Sequence, residues 1–194
     1  MSNDIAQLYT QLEKIIHAGG NDVSKINTFC DRILAAHPND IYALRCKGTV
    51  LLNQGKYEAA LGTFTKLTNT KYQLTPEAKQ AVHGDSISAE ERQEDQIEVA
   101  FTIGYCLYRL ARYDQVKVIL LDIAKSVGGE ENLPAQAANL LAQTYYNLEE
   151  YTGAVAVYER LLKNEDYRDE QEQEELANNL CAAYAALNAD KAKA

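Results

Sequence analysis

The chain has 194 residues, of which 46% are hydrophobic, and a formal net charge of -9. That length suits one ordinary domain or one short array of repeats. No apolar run approaches the roughly 18 residues that would cross a bilayer, and no window gathers Lys and Arg as a nucleic-acid face requires, so membrane insertion and direct nucleic-acid contact are not expected.

Residues 1–16 alternate polar and apolar positions and lack the basic flank, apolar middle and small-residue cleavage site of a secretory signal. The periodicity predicts a helix over 3–18 and another over 22–36. In the second, Val23, Ile26, Cys30 and Ile33 form a stripe, and His37-Pro38 reads as a turn. Helices over 40–54 and 56–69 follow, carrying Leu44, Gly48, Leu51, then Gly55, Tyr57, Ala60, Phe64 and Leu67. Residues 70–88 hold Thr75-Pro76 and Gly84-Asp85 and read as an insertion, with one short helix near Pro76 to Val82. Ser88 and Glu91 have capping-box spacing and open a helix over 89–111, which carries Ile103, Gly104, Leu107 and Tyr108. A helix over 113–127 carries Tyr113, Val116 and Leu120 and stops at Gly128-Gly129. Asn132 with Pro134 marks the start of a helix over 132–148, with Leu141, Ala142, Tyr145 and Tyr146. The next, over 151–164, carries Tyr151, Ala154 and Tyr158. An acidic run, Glu165 to Glu175, reads as a solvated helix start favoured by the helix dipole. It leads into a last helix over 168–188, with Leu180, Cys181 and Tyr184; residues 189–194 read as a tail.

These elements repeat. Gly48-x2-Leu51 and Ala60-x3-Phe64 match the spacing of the tetratricopeptide pattern, with Leu44 at its Trp position and Lys47 departing at its Leu position. Ile103-Gly104 with Val116 and Leu120, and Leu141-Ala142 with Ala154 and Tyr158, are further copies in phase. Val23 and Tyr57 are 34 residues apart, the tetratricopeptide period. The physical logic is that two antiparallel helices cannot bury their apolar stripes alone. Gly48, Gly104 and Ala142 are small where a first helix meets its own second helix. Ala60 and Ala154 are small where the second helix receives the next unit. Tyr57, Phe64, Tyr113 and Tyr158 fill the gaps. The expected fold is all-α: a tetratricopeptide-type right-handed solenoid over 1–188. Its repeats are placed near 3–38, 40–69, 89–127 and 132–164, and a capping helix at 168–188 follows. A chain ending on an unpaired first helix reads as the N-terminal part of something longer.

A closer resemblance rests on three strings. They are Ala43-Leu44-Arg45-Cys46-Lys47 with Asn53-Gln54-Gly55, Tyr105-Cys106-Leu107-Tyr108-Arg109-Leu110 with Arg112, and Tyr146-Asn147-Leu148 through Tyr158-Glu159-Arg160-Leu161-Leu162 with its acidic follower. In this order they resemble the N-terminal region of the seventy-two kilodalton subunit family of the eukaryotic signal recognition particle. The resemblance implies a cytoplasmic module that docks the partner subunit of sixty-eight kilodaltons, supporting the targeting of nascent proteins to the endoplasmic reticulum. The family binds RNA through a basic region near its far C-terminus. This chain has no such region, so that property does not carry over. The insertion at 70–88 departs from the shorter spacing of the family's animal members. The alternative is a general scaffold or co-chaperone that takes an extended or helical peptide.

In either case the first helices of the pairs would line a concave groove. One step round from the core-facing residues stand Arg45 and Thr49, then Phe101, Tyr105, Tyr108 and Arg109, then Asn139, Gln143 and Tyr146, with Tyr9 on the first helix and Asn178 on the last. Tyr, Asn and Arg supply aromatic area, amide hydrogen bonds and charge-assisted pairing to a peptide. The paired Lys and Asn of a chaperone-carboxylate clamp are missing at the matching positions. No cofactor, metal or catalytic residue is expected. His17, His37 and His83 have no ligand partners at metal spacing, no phosphate-binding loop is present, and Cys106 has no His placed to activate it. Cys30, Cys46, Cys106 and Cys181 all lie in apolar helical patterns and read as reduced thiols that behave as small hydrophobes, with Cys106 as a buried thiol.

Overall fold

The structure is a computed structural model that describes residues 2–19, 22–69, 89–163 and 170–191. The predicted short helix near Pro76 to Val82, the Ser88 cap and the first part of the acidic run lie outside those residues. Among the described residues there are helices and no strands: α1 Ser2–His17, α2 Val23–Ala36, α3 Ile41–Asn53, α4 Tyr57–Asn69, α5 Ala89–Arg109, α6 Tyr113–Ser126, α7 Ala135–Asn147, α8 Tyr151–Leu162 and α9 Glu170–Lys191. Two compact units result, residues 1–106 and 107–194, with the division inside α5.

In the first unit α1 packs on α2, α2 on α3 and α3 on α4. The stop signal at Pro38 works as its chemistry requires. A residue before proline is pushed out of the α region, and His37 stands at φ -130°, ψ 84° as the C-cap of α2. Two residues on, the Asp40 carboxylate caps α3 by accepting from the Ala43 amide at 2.8 Å. Its other oxygen accepts the Tyr9 hydroxyl at 2.6 Å, so one buried carboxylate ties α1 to the start of α3. The core of this unit gathers Leu8, Tyr9 and Leu12 of α1 with Ile26, Cys30 and Ile33 of α2 and Ala43 and Val50 of α3. At the α3–α4 crossing a Cβ built on Gly48 would stand 2.7 Å from Cζ of Phe64. The small residue and the aromatic of the repeat pattern are therefore one contact.

In the second unit α6 packs on α7, α7 on α8 and α8 on α9. Ala154, in the small position of the second helix, has no exposed surface, and the large Tyr158 is 2% exposed. Gly153 lies against the Tyr145 ring, 3.2 Å from where its Cβ would be.

The turns inside the three pairs are copies of one another. Gly55, Ala111 and Glu149 each take a left-handed conformation, with φ of 70°, 55° and 61°. Each stands two residues before the tyrosine that opens the second helix. In each, the next amide reaches back five residues: Lys56 to the Leu51 carbonyl at 2.9 Å, Arg112 to Leu107 at 2.9 Å, and Glu150 to Tyr145 at 2.8 Å. This 6→1 bond with a left-handed residue before it is the Schellman closure, which satisfies carbonyls left orphaned at a helix end.

Three expectations need correction. The helix expected from Asn132 starts later: Glu130–Asn132 is a short 3-10 turn, and α7 begins at Ala135. Pro134 holds Leu133 at φ -59°, ψ 137°, outside the helical region, which forbids a continuous helix through that point. The last helix continues to Lys191, into the stretch read as a tail, as an Ala-rich sequence of high helix propensity allows. Finally, Cys181 is exposed, whereas Cys30 and Cys106 are buried and Cys46 is half-buried. Of α9, Leu176 and Ala183 are buried, and Cys181 stands on a face that these two do not share.

Candidate functional site

The eleven positions singled out on the first helices divide between the two units. In the first unit Tyr9 is not available to a partner. It has no exposed surface, and its hydroxyl is held by Asp40. The reason is the width of the apolar stripe on α1. Leu8, Tyr9 and Leu12 all face inward, and the tyrosine reaches a carboxylate instead of water. Thr49 is exposed, and its hydroxyl donates to the Arg45 carbonyl at 3.0 Å, one turn back.

Arg45 is half-buried and already engaged. Its guanidinium pairs closely with Asp95 and stands 3.8 Å from Glu98, both on α5. This contact exists because α5 is long, with 21 residues against 13 in α3. The extra turns at its N-terminal end carry Asp95 back to α3. Further along α5, Phe101 and Tyr105 are half-buried. The Tyr105 ring meets Tyr57 edge-on, with centroids 6.3 Å apart. Glu98, Phe101 and Tyr105 fall at helical spacings that place them on one face.

The second unit presents a different chemistry. Tyr108 packs edge-on against Tyr113 at 5.5 Å, and Tyr146 against Tyr151 at 5.6 Å. Each pair closes over the left-handed turn described above, joining the last turn of a first helix to the first residue of its second helix. Asn147 donates to the Tyr108 hydroxyl at 3.4 Å, linking the two turns. Burial raises the Tyr108 hydroxyl above its ordinary pKa, against the lowering effect of that hydrogen bond. Gln143 donates to Asn139 at 3.3 Å, so the two amides one turn apart are oriented by each other. Tyr146, Arg109 and Asn178 are exposed. The outward residues here are thus amides, phenols and the Arg109 guanidinium, where the first unit offers an ion pair and an aromatic edge.

Sequence reasoning missed Asp95 and Glu98 beside Arg45 in the first unit and Asn147 beside Tyr108 in the second. Asn147 could have been found as the neighbour of Tyr146 at the end of its helix. Nothing local in the sequence pairs Arg45 with Asp95.

Other chemistry is sparse. Burial pushes the Cys106 thiol up to about 11, so it is protonated at neutral pH and poorly nucleophilic. The hydrogen bond with Cys46, followed by burial, pushes the Cys30 thiol higher still. Among the described residues no three His, Cys, Asp or Glu side chains are placed to hold a metal ion, and no helix is long and apolar enough to cross a membrane.

Comparison with known proteins agrees with this architecture. The tetratricopeptide repeat family model matches residues 29–62, which run from α2 into α4. Such repeats are protein-interaction scaffolds rather than an enzyme family. The signal recognition particle subunit SRP72 of Dictyostelium discoideum is 29% identical over 146 residues, covering 75% of this chain and 16% of that protein. The chain therefore spans about a sixth of the length of the curated relative it matches. Among solved structures, MamA from residue 41 of Desulfovibrio magneticus RS-1 superposes with a TM-score of 0.60 at 13% identity, over 96% of this chain and 97% of that one. MamA of strain MSR-1 does so with a TM-score of 0.55 at 15% identity, over 98% and 99%. At such identities these two establish the shared fold alone, and the chain is an all-α array of tetratricopeptide-type helix pairs.

Proposed function

We propose that the chain is a docking module that binds a partner protein along the outward faces of its first helices, and that this partner is the sixty-eight kilodalton subunit of a cytosolic signal recognition particle. The observation that carries the reading is the 29% identity to a signal recognition particle subunit, which extends over 75% of the chain rather than over one repeat. The side chains on these faces suit the task. Half-exposed rings at Tyr105, Tyr108 and Tyr146 are held edge-on by second tyrosines. Rigid aromatics of this kind give contact area at small entropic cost.

A general scaffold or co-chaperone is the second reading, because the matched repeat is common to many scaffolds. Its carboxylate-clamp form is disfavoured by the engagement of Arg45 with Asp95. Calorimetry with the C-terminal region of the sixty-eight kilodalton subunit, at two salt concentrations, separates the readings. Stoichiometric binding supports the first. Replacing Tyr105 and Tyr146 by Ala together should then weaken it about tenfold or more, each truncation at a central aromatic costing on the order of 1 kcal/mol, while helicity is kept. Absence of binding removes that partner and leaves the general scaffold. Unchanged affinity in the double variant removes these faces.

A further inference from the structure

We propose that the face of α5 beside Arg45 is built to receive a cationic segment of a partner protein, a Lys or Arg flanked by aliphatic side chains. Glu98 would accept the cation, the Asp95 carboxylate behind it would add to the negative field, and Phe101 and Tyr105 would seat the aliphatic neighbours. The proposal rests on the reading that the first helices dock a partner, and it names the chemistry of one part of that partner.

The charge at this place is unbalanced. Among the described residues two carboxylates face one guanidinium, and Asp95 pairs closely with it. Glu98 stands 3.8 Å from Arg45 with its side chain 72% exposed, so most of its charge meets solvent. The second oxygen of Asp95 is buried and accepts no hydrogen bond among the described residues. A carboxylate satisfied on one side only keeps a negative field around it. An acidic partner would have to displace Asp95 from Arg45 before gaining anything. A basic partner meets Glu98 directly, and the net charge of -9 steers it inward. The apolar seat is on the same face one to two turns along: Phe101 and Tyr105 are half-buried, and the Tyr57 edge fixes the Tyr105 ring. Lys and Arg side chains lay their methylenes along such surfaces while the head reaches an acceptor.

The test uses the full chain and two acetylated, amidated 11-residue probe peptides with the same Leu and Ala positions, one carrying four Lys and the other four Glu. Fluorescence anisotropy at moderate salt should show the Lys peptide binding about tenfold tighter or more, the effect of one charge pair at partly exposed separations. In Asp95→Asn with Glu98→Gln that preference should collapse and the Glu peptide should gain, because Arg45 is released. Glu98→Gln alone leaves the Arg45–Asp95 pair intact and should remove part of the preference without touching the fold. Equal or reversed preference in the wild type overturns the proposal, as does binding of neither peptide. A preference that survives in the double variant also overturns it, because bulk charge would then be the cause. If the sixty-eight kilodalton partner region binds wild type and double variant alike, the docking reading stands and this inference fails. If it binds neither variant, that partner falls on its own account.

Discussion

The three left-handed turns carry a built-in control, because one of them holds glycine and two do not. Gly55 takes φ 70° at no steric cost, whereas Ala111 at 55° and Glu149 at 61° place a Cβ where it crowds the following carbonyl. That crowding costs an L residue roughly 1–2 kcal/mol. Replacing it with glycine recovers the cost but gives back about 0.5–1 kcal/mol, because glycine makes the unfolded chain more flexible. Both Ala111 and Glu149 are exposed, and among the described residues the Glu149 side chain makes no hydrogen bond or ion pair, so little else changes. Ala111→Gly and Glu149→Gly should therefore each stabilise the chain by about 0.5–1 kcal/mol, and the pair by about 1–2 kcal/mol if the two sites act independently. For a chain of this size that is roughly 2–8 °C in the melting midpoint. Gly55→Ala should lose a similar amount. Urea melts followed by far-ultraviolet circular dichroism, with an unchanged slope, measure the differences. Loss of stability in both glycine variants would refute the assignment of these residues to the left-handed closure, and with it the equivalence of the three turns.

Other consequences follow from single contacts. Gly48→Ala drives a methyl to 2.7 Å from the Phe64 ring and should cost about 1–3 kcal/mol; adding Phe64→Leu should recover part of it, and full additivity of the two in a double-mutant cycle would show that they do not touch. Cys181, exposed, should react with a water-soluble maleimide in the native chain, whereas Cys30 and Cys106 should react only after denaturation; mass spectrometry of the labelled peptides decides, and early labelling of Cys106 would contradict its burial. Burial, then the nearby Glu130, pushes the Tyr145 hydroxyl up to about 12, and burial holds the Cys106 thiol at about 11. Both groups keep their protons to higher pH in the folded than in the unfolded chain. Their contribution is complete below the unfolded values and is lost as pH climbs through the folded ones, so stability should fall from about pH 9 upward. In Tyr145→Phe that decline should be shallower, and an unchanged slope would contradict the assignment.

Much of the fold was legible because helix periodicity is local. The small and large positions of the repeat, Gly48 with Phe64 and Ala154 with Tyr158, follow from spacing alone, and the structure places the first pair in direct contact. The closing proline at 38 follows from the restriction a proline places on the residue before it, and the Gly128-Gly129 stop from the ease with which glycine takes the positive φ seen at both residues. The turns were half legible. Gly55 announces a left-handed residue, but Ala111 and Glu149 have side chains that give no such signal, and only the strain tolerated between two packed helices reveals their conformation.

The candidate surface was less legible. Counting round a helix finds which residues share a face, but not whether that face meets water. Tyr9 shows the difference: its spacing matches an outward position, yet its ring lies in the core and its hydroxyl on Asp40. Arg45 shows it again, since the spacing of α3 offers it to a partner while the length of α5 supplies Asp95 first. The sequence by itself determined the helix pairs, the left-handed turn at Gly55 and the fit of Gly48 to Phe64, because these depend on residues a turn or a hairpin apart. Which polar groups remain for a partner was decided by the tertiary structure, because hydrogen bonds and ion pairs act only over a few ångströms. Partners distant in the chain, such as Tyr9 with Asp40 and Arg45 with Asp95, meet only once the helices have packed.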